Sequence, residues 1–126
     1  MPYRVTRGQF QNFVEESLRE LPKRFSEYFT NISVVIEDIP DADTVRGLGV
    51  PGNELMGLFR GSALDEKHEM LGLPYPLPDE IILYQKNIEA ACSSEDCLRE
   101  EIRLTVVHEL GHYFGMTEEE LQEYED

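Results

Sequence analysis

The chain has 126 residues, which suits one domain with a modest hydrophobic core. Apolar residues make up 40% of it, and the apolar runs are much shorter than the ~20 residues of a membrane span. The formal charge of -15, from 26 acidic and 11 basic residues, repels phosphate backbones. We therefore expect a single domain, residues 1–126, with no membrane span and no nucleic-acid ligand. No apolar signal segment is visible near the N-terminus, which favours the cytoplasm.

The N-terminal third predicts a helix followed by a strand. Thr6 and Gln9 form a T-x-x-Q capping box, and apolar residues then recur at helical spacing as far as Pro22. The β-branched run "ISVVIEDI" predicts a strand. The apolar side chains expected on one face of this strand are Ile32, Val34 and Ile36.

The middle of the chain alternates predicted loops with short predicted strands. Glycine and proline residues mark 40–53 as a loop, and "ELMGLFRGS" then predicts a short strand. Gly57 inside this strand is typical of an edge strand or a bulge. Ala63 to Pro78 is expected to be a second surface loop, and "IILYQ" is a third strand.

The C-terminal third predicts a long helix that begins at Ser93 or Ser94 and runs to about Phe114. Its apolar residues form two flanks, so the helix is expected to be packed on both sides. One polar stripe is left open between them, and it consists of Glu101, Thr105, His108 and His112. Gly115 is suited to ending the helix, and Thr117 with Glu120 forms a capping box for a short last helix.

Residues His108, Glu109 and His112 form the pattern H-E-x-x-H on this helix. The four-residue spacing puts both imidazoles on one face, where they can bind a single Zn²⁺ at about 2.0 to 2.1 Å. Glu109 would then be the general base for a metal-activated water. The pattern therefore predicts a zinc site with hydrolytic chemistry.

A third zinc ligand is needed, because a catalytic zinc commonly has three protein ligands and one open position. No histidine follows His112. A turn at Gly115 would bring the acidic residues after it back over the metal, which favours Glu118 and then Glu119. His68 is a further candidate, although its charged neighbours are typical of an exposed loop, and the third ligand could also be absent.

The two cysteines, Cys92 and Cys97, have a C-x4-C spacing near the start of the long helix. They could close a small loop, but two cysteines are too few for a disulfide scaffold. A cytosolic setting favours two reduced thiols.

The segment "HELGHYFGM", with acidic residues after it, resembles the H-E-x-x-H-x-x-G zincins. The wider pattern is most similar to a small bacterial family of minimal zincin-like metalloproteases, and the segments "LMGLFRGSAL" and "LPDEIILYQ" resemble the strand segments of that family. The resemblance implies an α+β zincin-like fold: a three- to four-stranded mixed sheet against an N-terminal helix and the HExxH helix, with a short C-terminal helix. It also implies zinc bound by His108 and His112, with Glu109 as catalytic acid/base.

Three functions compete at this point. The first is a zinc-dependent metallopeptidase that acts as a monomer on a peptide or unfolded protein, with His108, His112 and Glu118 as ligands and Glu109 as base. The second is a non-catalytic metal- or peptide-binding module that retains the fold. A metal-dependent RNA hydrolase is the least favoured, because the acidic surface repels RNA.

Overall fold

The computed structural model describes residues 2–21, 23, 32–49, 51–60, 79–113, 117, 119–120 and 122, with the backbone alone for residues 79, 112 and 113. The predicted loop from Ala63 to Pro78 lies outside these residues. The described helices are α1 (Arg7–Arg19), α2 (Ala42–Leu48), α3 (Gln85–Ala90) and α4 (Glu95–Tyr113), and the strands are β1 (Ile32–Glu37), β2 (Gly57–Arg60) and β3 (Asp79–Tyr84). None of these helices has both the length and the apolar composition of a membrane span.

The three strands form one mixed sheet in the order β1-β3-β2. Strand β1 pairs with β3 in parallel, and β2 pairs with β3 in antiparallel orientation. A small mixed sheet with helices confirms the predicted α+β class, and β2 is an outer strand among the described residues, as Gly57 indicated.

Helices α1 and α4 pack against one face of this sheet. The predicted apolar face of β1 is confirmed, because Ile32 is buried there and Val34 and Ile36 pack against the same core. The core residues that join the helices to the sheet include Phe10, Phe13, Val14, Ile81, Leu83, Ile102, Val106 and Leu110. This packing fixes how α4 is rotated relative to the strands.

The predicted helix starts are also confirmed. The Thr6 side chain accepts a hydrogen bond from the Gln9 N–H at 3.1 Å, and the Gln9 side chain accepts one from the Thr6 N–H at 3.0 Å. At α4 the Ser94 Oγ accepts a hydrogen bond from the Cys97 N–H at 3.1 Å, so Ser94 is the cap. The second capping box forms as well, since the Thr117 Oγ1 accepts from the Glu120 N–H at 3.1 Å.

Two helices differ from the sequence prediction. Residues 40–53 are not a loop throughout, because α2 occupies the middle of that range. Asp41 caps α2 by accepting from the Thr44 N–H at 2.7 Å, and Gly49 ends it with a φ of 68°. Gln85, predicted to continue the third strand, is instead the first residue of α3.

Gly57 is the residue that allows β2 to lie against α4. A Cβ atom at this position would come within 2.5 Å of the Thr105 Cγ2 and 3.1 Å of the Ile82 carbonyl oxygen. The Thr105 hydroxyl donates to the Glu101 carbonyl at 2.7 Å, within α4, which leaves the methyl group facing β2. The absence of a side chain at Gly57 therefore sets the separation of strand and helix.

We expect Gly57→Ala to lower the free energy of unfolding by about 1–3 kcal/mol, because the new methyl group pushes β2 away from α4. Urea unfolding followed by circular dichroism measures this change. Gly47→Ala is the matched control, since a Cβ there meets nothing within 4 Å, and it should be neutral or stabilising. Thr105→Ser in the Gly57→Ala background deletes the clashing methyl group and should recover part of the loss. Equal effects of the two glycine substitutions would contradict this account of the contact.

Candidate metal and catalytic site

Helix α4 turns its H-E-x-x-H segment towards β2. Ile102, Val106 and Leu110 are fully buried on one side of the helix and hold its rotation. The side chains of His108 and Glu109 are half-buried on the side next to the strand. The predicted polar stripe is therefore not open along its length: Thr105, one turn before His108, is buried beneath Gly57.

The Glu109 carboxylate is hydrogen-bonded to the backbone of the outer strand. Its Oε2 accepts from the Phe59 N–H at 3.0 Å. The Met56 carbonyl accepts from the Tyr84 N–H at 2.9 Å, so by alternation the backbone groups of Gly57 and Phe59 point away from β3. The bond to Phe59 therefore joins the predicted general base to the outer edge of the sheet.

A cavity of about 320 Å³ lies between α4 and the start of β2. Thr105, His108 and Glu109 line one side of it, together with Leu104. The lining residues on the strand side are Glu54, Leu55, Met56 and Gly57. The cavity thus combines one imidazole and two carboxylates with a largely apolar wall.

The strand side of this cavity is held by Asn87, a buried residue of α3. Its amide group donates to the Gly52 carbonyl at 2.6 Å and to the Leu55 carbonyl at 2.8 Å. The sequence prediction missed Asn87, since nothing in its neighbourhood shows that it bonds to a segment more than thirty positions earlier. Its two hydrogen bonds fix the chain just before β2.

Arg60 fastens the other end of β2. Its guanidinium lies 3.0 Å from the Glu80 carboxylate on β3 and 3.9 Å from that of Glu37 on β1. The hydrogen bond with Glu80 raises the pKa of Arg60 above its usual value. The strand that carries the Phe59 amide is therefore tied to its neighbours at both ends.

The predicted site residues are described to different extents. His108 and Glu109 share the cavity, and His112 follows one turn later on α4, with its backbone described. Glu118, Gly115 and His68 lie outside the described residues, and Glu119 is exposed. Among the described side chains, no group of three histidine, cysteine, aspartate or glutamate residues could hold a metal ion. The predicted ligand set of His108, His112 and Glu118 is thus still a prediction.

The Glu120 side chain is engaged elsewhere. Its carboxylate accepts a hydrogen bond from the Thr117 N–H at 3.3 Å, as part of the last capping box. This agrees with the prediction that Glu120 serves the cap.

The donors in this part of α4 suit a zinc ion. The half-buried imidazole of His108 lies at the cavity, and His112 occupies the next turn of the same helix. Two imidazoles and one carboxylate are a ligand set that zinc commonly takes, and the carboxylate would come from the predicted third ligand, Glu118. His108 and His112 would hold the ion, and the adjacent Glu109 would lie beside it.

A larger cavity, of about 740 Å³, lies between α1 and β1. Arg7, Arg19 and Glu15 are its charged lining residues, and no histidine or cysteine of the described ranges lines it. We therefore assign the candidate site to the smaller cavity on α4, because it is lined by the His108 imidazole and the Glu109 carboxylate.

The mixed sheet and the H-E-x-x-H helix beside its outer strand define an α+β protein of the zincin-like class. A family profile for zincin-like metallopeptidases matches residues 29–126, so the chain belongs to that family.

The fold is similar to one already solved. A conserved hypothetical protein from Thermo thermophilus superimposes with a TM-score of 0.57 at 20% sequence identity, covering 87% of this chain and 94% of that one. No curated protein matches the chain. The solved structure supports the fold alone.

We expect His108→Ala and His112→Ala each to weaken Zn²⁺ binding by more than about 100-fold, because the loss of a ligand costs more than the loss of an outer hydrogen bond. Competition with a chromogenic chelator measures the affinity. The same titration on Glu118→Gln and Glu119→Gln identifies the third ligand, with a large loss expected for Glu118→Gln alone. His68→Ala tests the remaining candidate ligand and should bind zinc as the parent does. Unchanged affinity in both α4 histidine variants would contradict the assignment.

Proposed function

We propose that the protein is a zinc-dependent peptidase that hydrolyses peptide bonds of short or unfolded polypeptides. The observation that supports this most directly is the hydrogen bond from the Phe59 amide to the Glu109 carboxylate. It joins a candidate general base to the edge of an outer strand, within a cavity that His108 also lines. Membership of the zincin-like metallopeptidase family is consistent with this activity.

The roles of the side chains follow from their chemistry. Zinc, when bound, would polarise the scissile carbonyl and make water a stronger acid. His108 and His112 would hold the ion, with Glu118 as the third ligand. Glu109 accepts the proton of the attacking water at its carboxylate and returns it to the leaving nitrogen. The Phe59 amide keeps that carboxylate oriented during both transfers.

The substrate in this proposal is an extended peptide that lies along β2. The backbone of Gly57 points outward from the sheet, and an added strand can use such an edge. An apolar substrate side chain enters the cavity beside Leu55, Met56 and Leu104. The charge of -15 disfavours nucleic acid as a partner. We further propose that the enzyme works as a monomer in the cytoplasm.

A non-catalytic binding module is the second candidate, and one observation favours it. The Glu109 carboxylate has a structural use, because it accepts the Phe59 N–H between α4 and β2. Such a bond gives the glutamate a role in the fold even without catalysis. The two candidates differ in whether Glu109 also carries protons.

Glu109→Gln separates them. Glutamine can still accept the Phe59 N–H but cannot take a proton, so we expect unchanged zinc affinity and melting temperature, with cleavage of a peptide library reduced at least ~100-fold. Mass spectrometry of the digested library measures cleavage. Glu100→Gln, on the exposed side of the same helix, is the matched control and should cleave normally. Cleavage by the parent and by Glu109→Gln at equal rates would contradict the assigned base. No cleavage by the zinc-loaded parent would favour the binding module.

Leu104→Trp tests the role of the cavity. A larger side chain there occupies space intended for the substrate, so kcat/KM for peptides with a large apolar residue at the cavity should fall ~10- to 200-fold. Peptides with a small residue should be affected less, and zinc affinity should not change. Leu18→Trp makes the same substitution in the cavity between α1 and β1 and serves as the control. Equal losses for large and small residues would show that this cavity does not select the substrate.

A further inference from the structure

The two thiols of the chain are in direct contact at the junction of α3 and α4. The Cys97 thiol donates to the Cys92 sulfur with a sulfur–sulfur distance of 2.7 Å. Both residues are free cysteines. A disulfide bond is about 2.05 Å long, so a sulfur displacement of well under an ångström would bring the pair to bonding distance.

The backbone already holds both cysteines in this arrangement. The Cys92 carbonyl accepts from the Tyr3 N–H at 2.8 Å, and the Cys92 N–H donates to the Glu89 carbonyl at 3.1 Å. The Cys97 N–H donates to the Ser94 Oγ at 3.1 Å in the first turn of α4. No rearrangement of a helix is needed to join the two side chains.

The two thiols differ in access to solvent. Cys92 is 3% exposed and belongs to the core, whereas Cys97 is half-buried at the helix start. Burial raises the pKa of Cys92 to about 12, so Cys92 remains a thiol at neutral pH. An oxidant therefore meets Cys97 first, and Cys92 is placed to react second.

We propose that Cys92 and Cys97 are a redox-active pair that forms a reversible intrachain disulfide on reaction with a hydroperoxide. In the first step the Cys97 sulfur attacks the peroxide O–O bond, which gives a sulfenic acid and one water from hydrogen peroxide. In the second step the Cys92 sulfur displaces the sulfenic oxygen, which leaves as a second water with the Cys92 proton. Two electrons pass from the two sulfurs to the peroxide, and a thiol reductant reverses the change.

The cross-link would join the end of α3 to the first turn of α4. That helix carries His108 and Glu109 more than two turns further on, while Asn87 in α3 fixes the cavity rim. Oxidation thus stiffens the junction between the two helices that shape the candidate site. This inference stands on the cysteine contact and does not depend on peptidase activity.

Intact-mass measurement of the full chain tests the proposal. The reduced protein is treated with hydrogen peroxide, unfolded, and alkylated with iodoacetamide. We expect a loss of about 2 Da, which corresponds to two hydrogens, with no alkylation of either cysteine. Dithiothreitol should restore both thiols. The oxidised form should melt roughly 5 to 10 °C higher than the reduced form, because a closed loop restricts the unfolded chain.

Two single variants assign the order of the steps. In Cys97→Ser the remaining buried thiol should stay reduced and be alkylated after unfolding. In Cys92→Ala the half-buried thiol of Cys97 should gain one or two oxygen atoms, since it lacks a second cysteine to react with. If Cys92→Ala does not fold, peptide mapping of the oxidised parent locates the cross-link instead. Full alkylation of both cysteines after peroxide, or a cross-link between two chains, would overturn the proposal.

Discussion

The contact between β2 and α4 is the constraint on which the candidate site depends. It exists because Gly57 has no side chain and because the Thr105 hydroxyl donates a hydrogen bond within its own helix, to the Glu101 carbonyl. Only a methyl group then separates strand from helix. At this separation the Phe59 amide comes within 3.0 Å of the Glu109 carboxylate. A wider gap would leave the strand edge and the Glu109 carboxylate apart.

The rest of the fold keeps these two elements in position. Fully buried side chains of α4 set which face of the helix meets the strand. Asn87 holds the chain before β2, and Arg60 ties the end of β2 to the adjacent strand β3 and to β1 beyond it. The chain is therefore held on both sides of Phe59, the residue whose N–H donates to Glu109. Such support on both sides suits a site whose groups must be oriented in advance.

Strong periodic patterns made the main elements predictable. The face of β1, the cap of α1 and the length of α4 all follow from regularly spaced apolar residues and local capping groups. Helix α2 is different, because it has no buried residue and so no apolar stripe that a sequence pattern could reveal. Helix α3 begins directly after β3, and its N-cap Tyr84 makes no side-chain capping bond. Each helix therefore lacks one of the two signals on which the prediction relied: α2 has no apolar stripe, and α3 has no side-chain cap.

The site was predictable only where its chemistry is local in the sequence. H-E-x-x-H lies within one turn of helix, so residue types and spacing suffice to find it. Phe59 bonds to Glu109 through its backbone N–H, a group that every residue except proline has, so the residue type gives no indication of the bond. Glu109 also lies 50 positions away in the sequence. Asn87 likewise acts on carbonyls that only the fold brings near. The partners of the motif are long-range, so they emerged only with the structure.

Shape and charge together narrow the substrate under the proposed function. An outer strand favours an extended backbone, and the apolar wall of the cavity favours an aliphatic or aromatic side chain. The formal charge of -15 adds a long-range field that attracts cations and repels acidic chains. Salt screens this field, and long-range charge acts mainly on the rate at which a peptide associates. Contact with the cavity is not screened by salt, and it determines which substrate side chain is accepted. The best substrate by these criteria is an unfolded, basic segment with an apolar residue placed at the cavity.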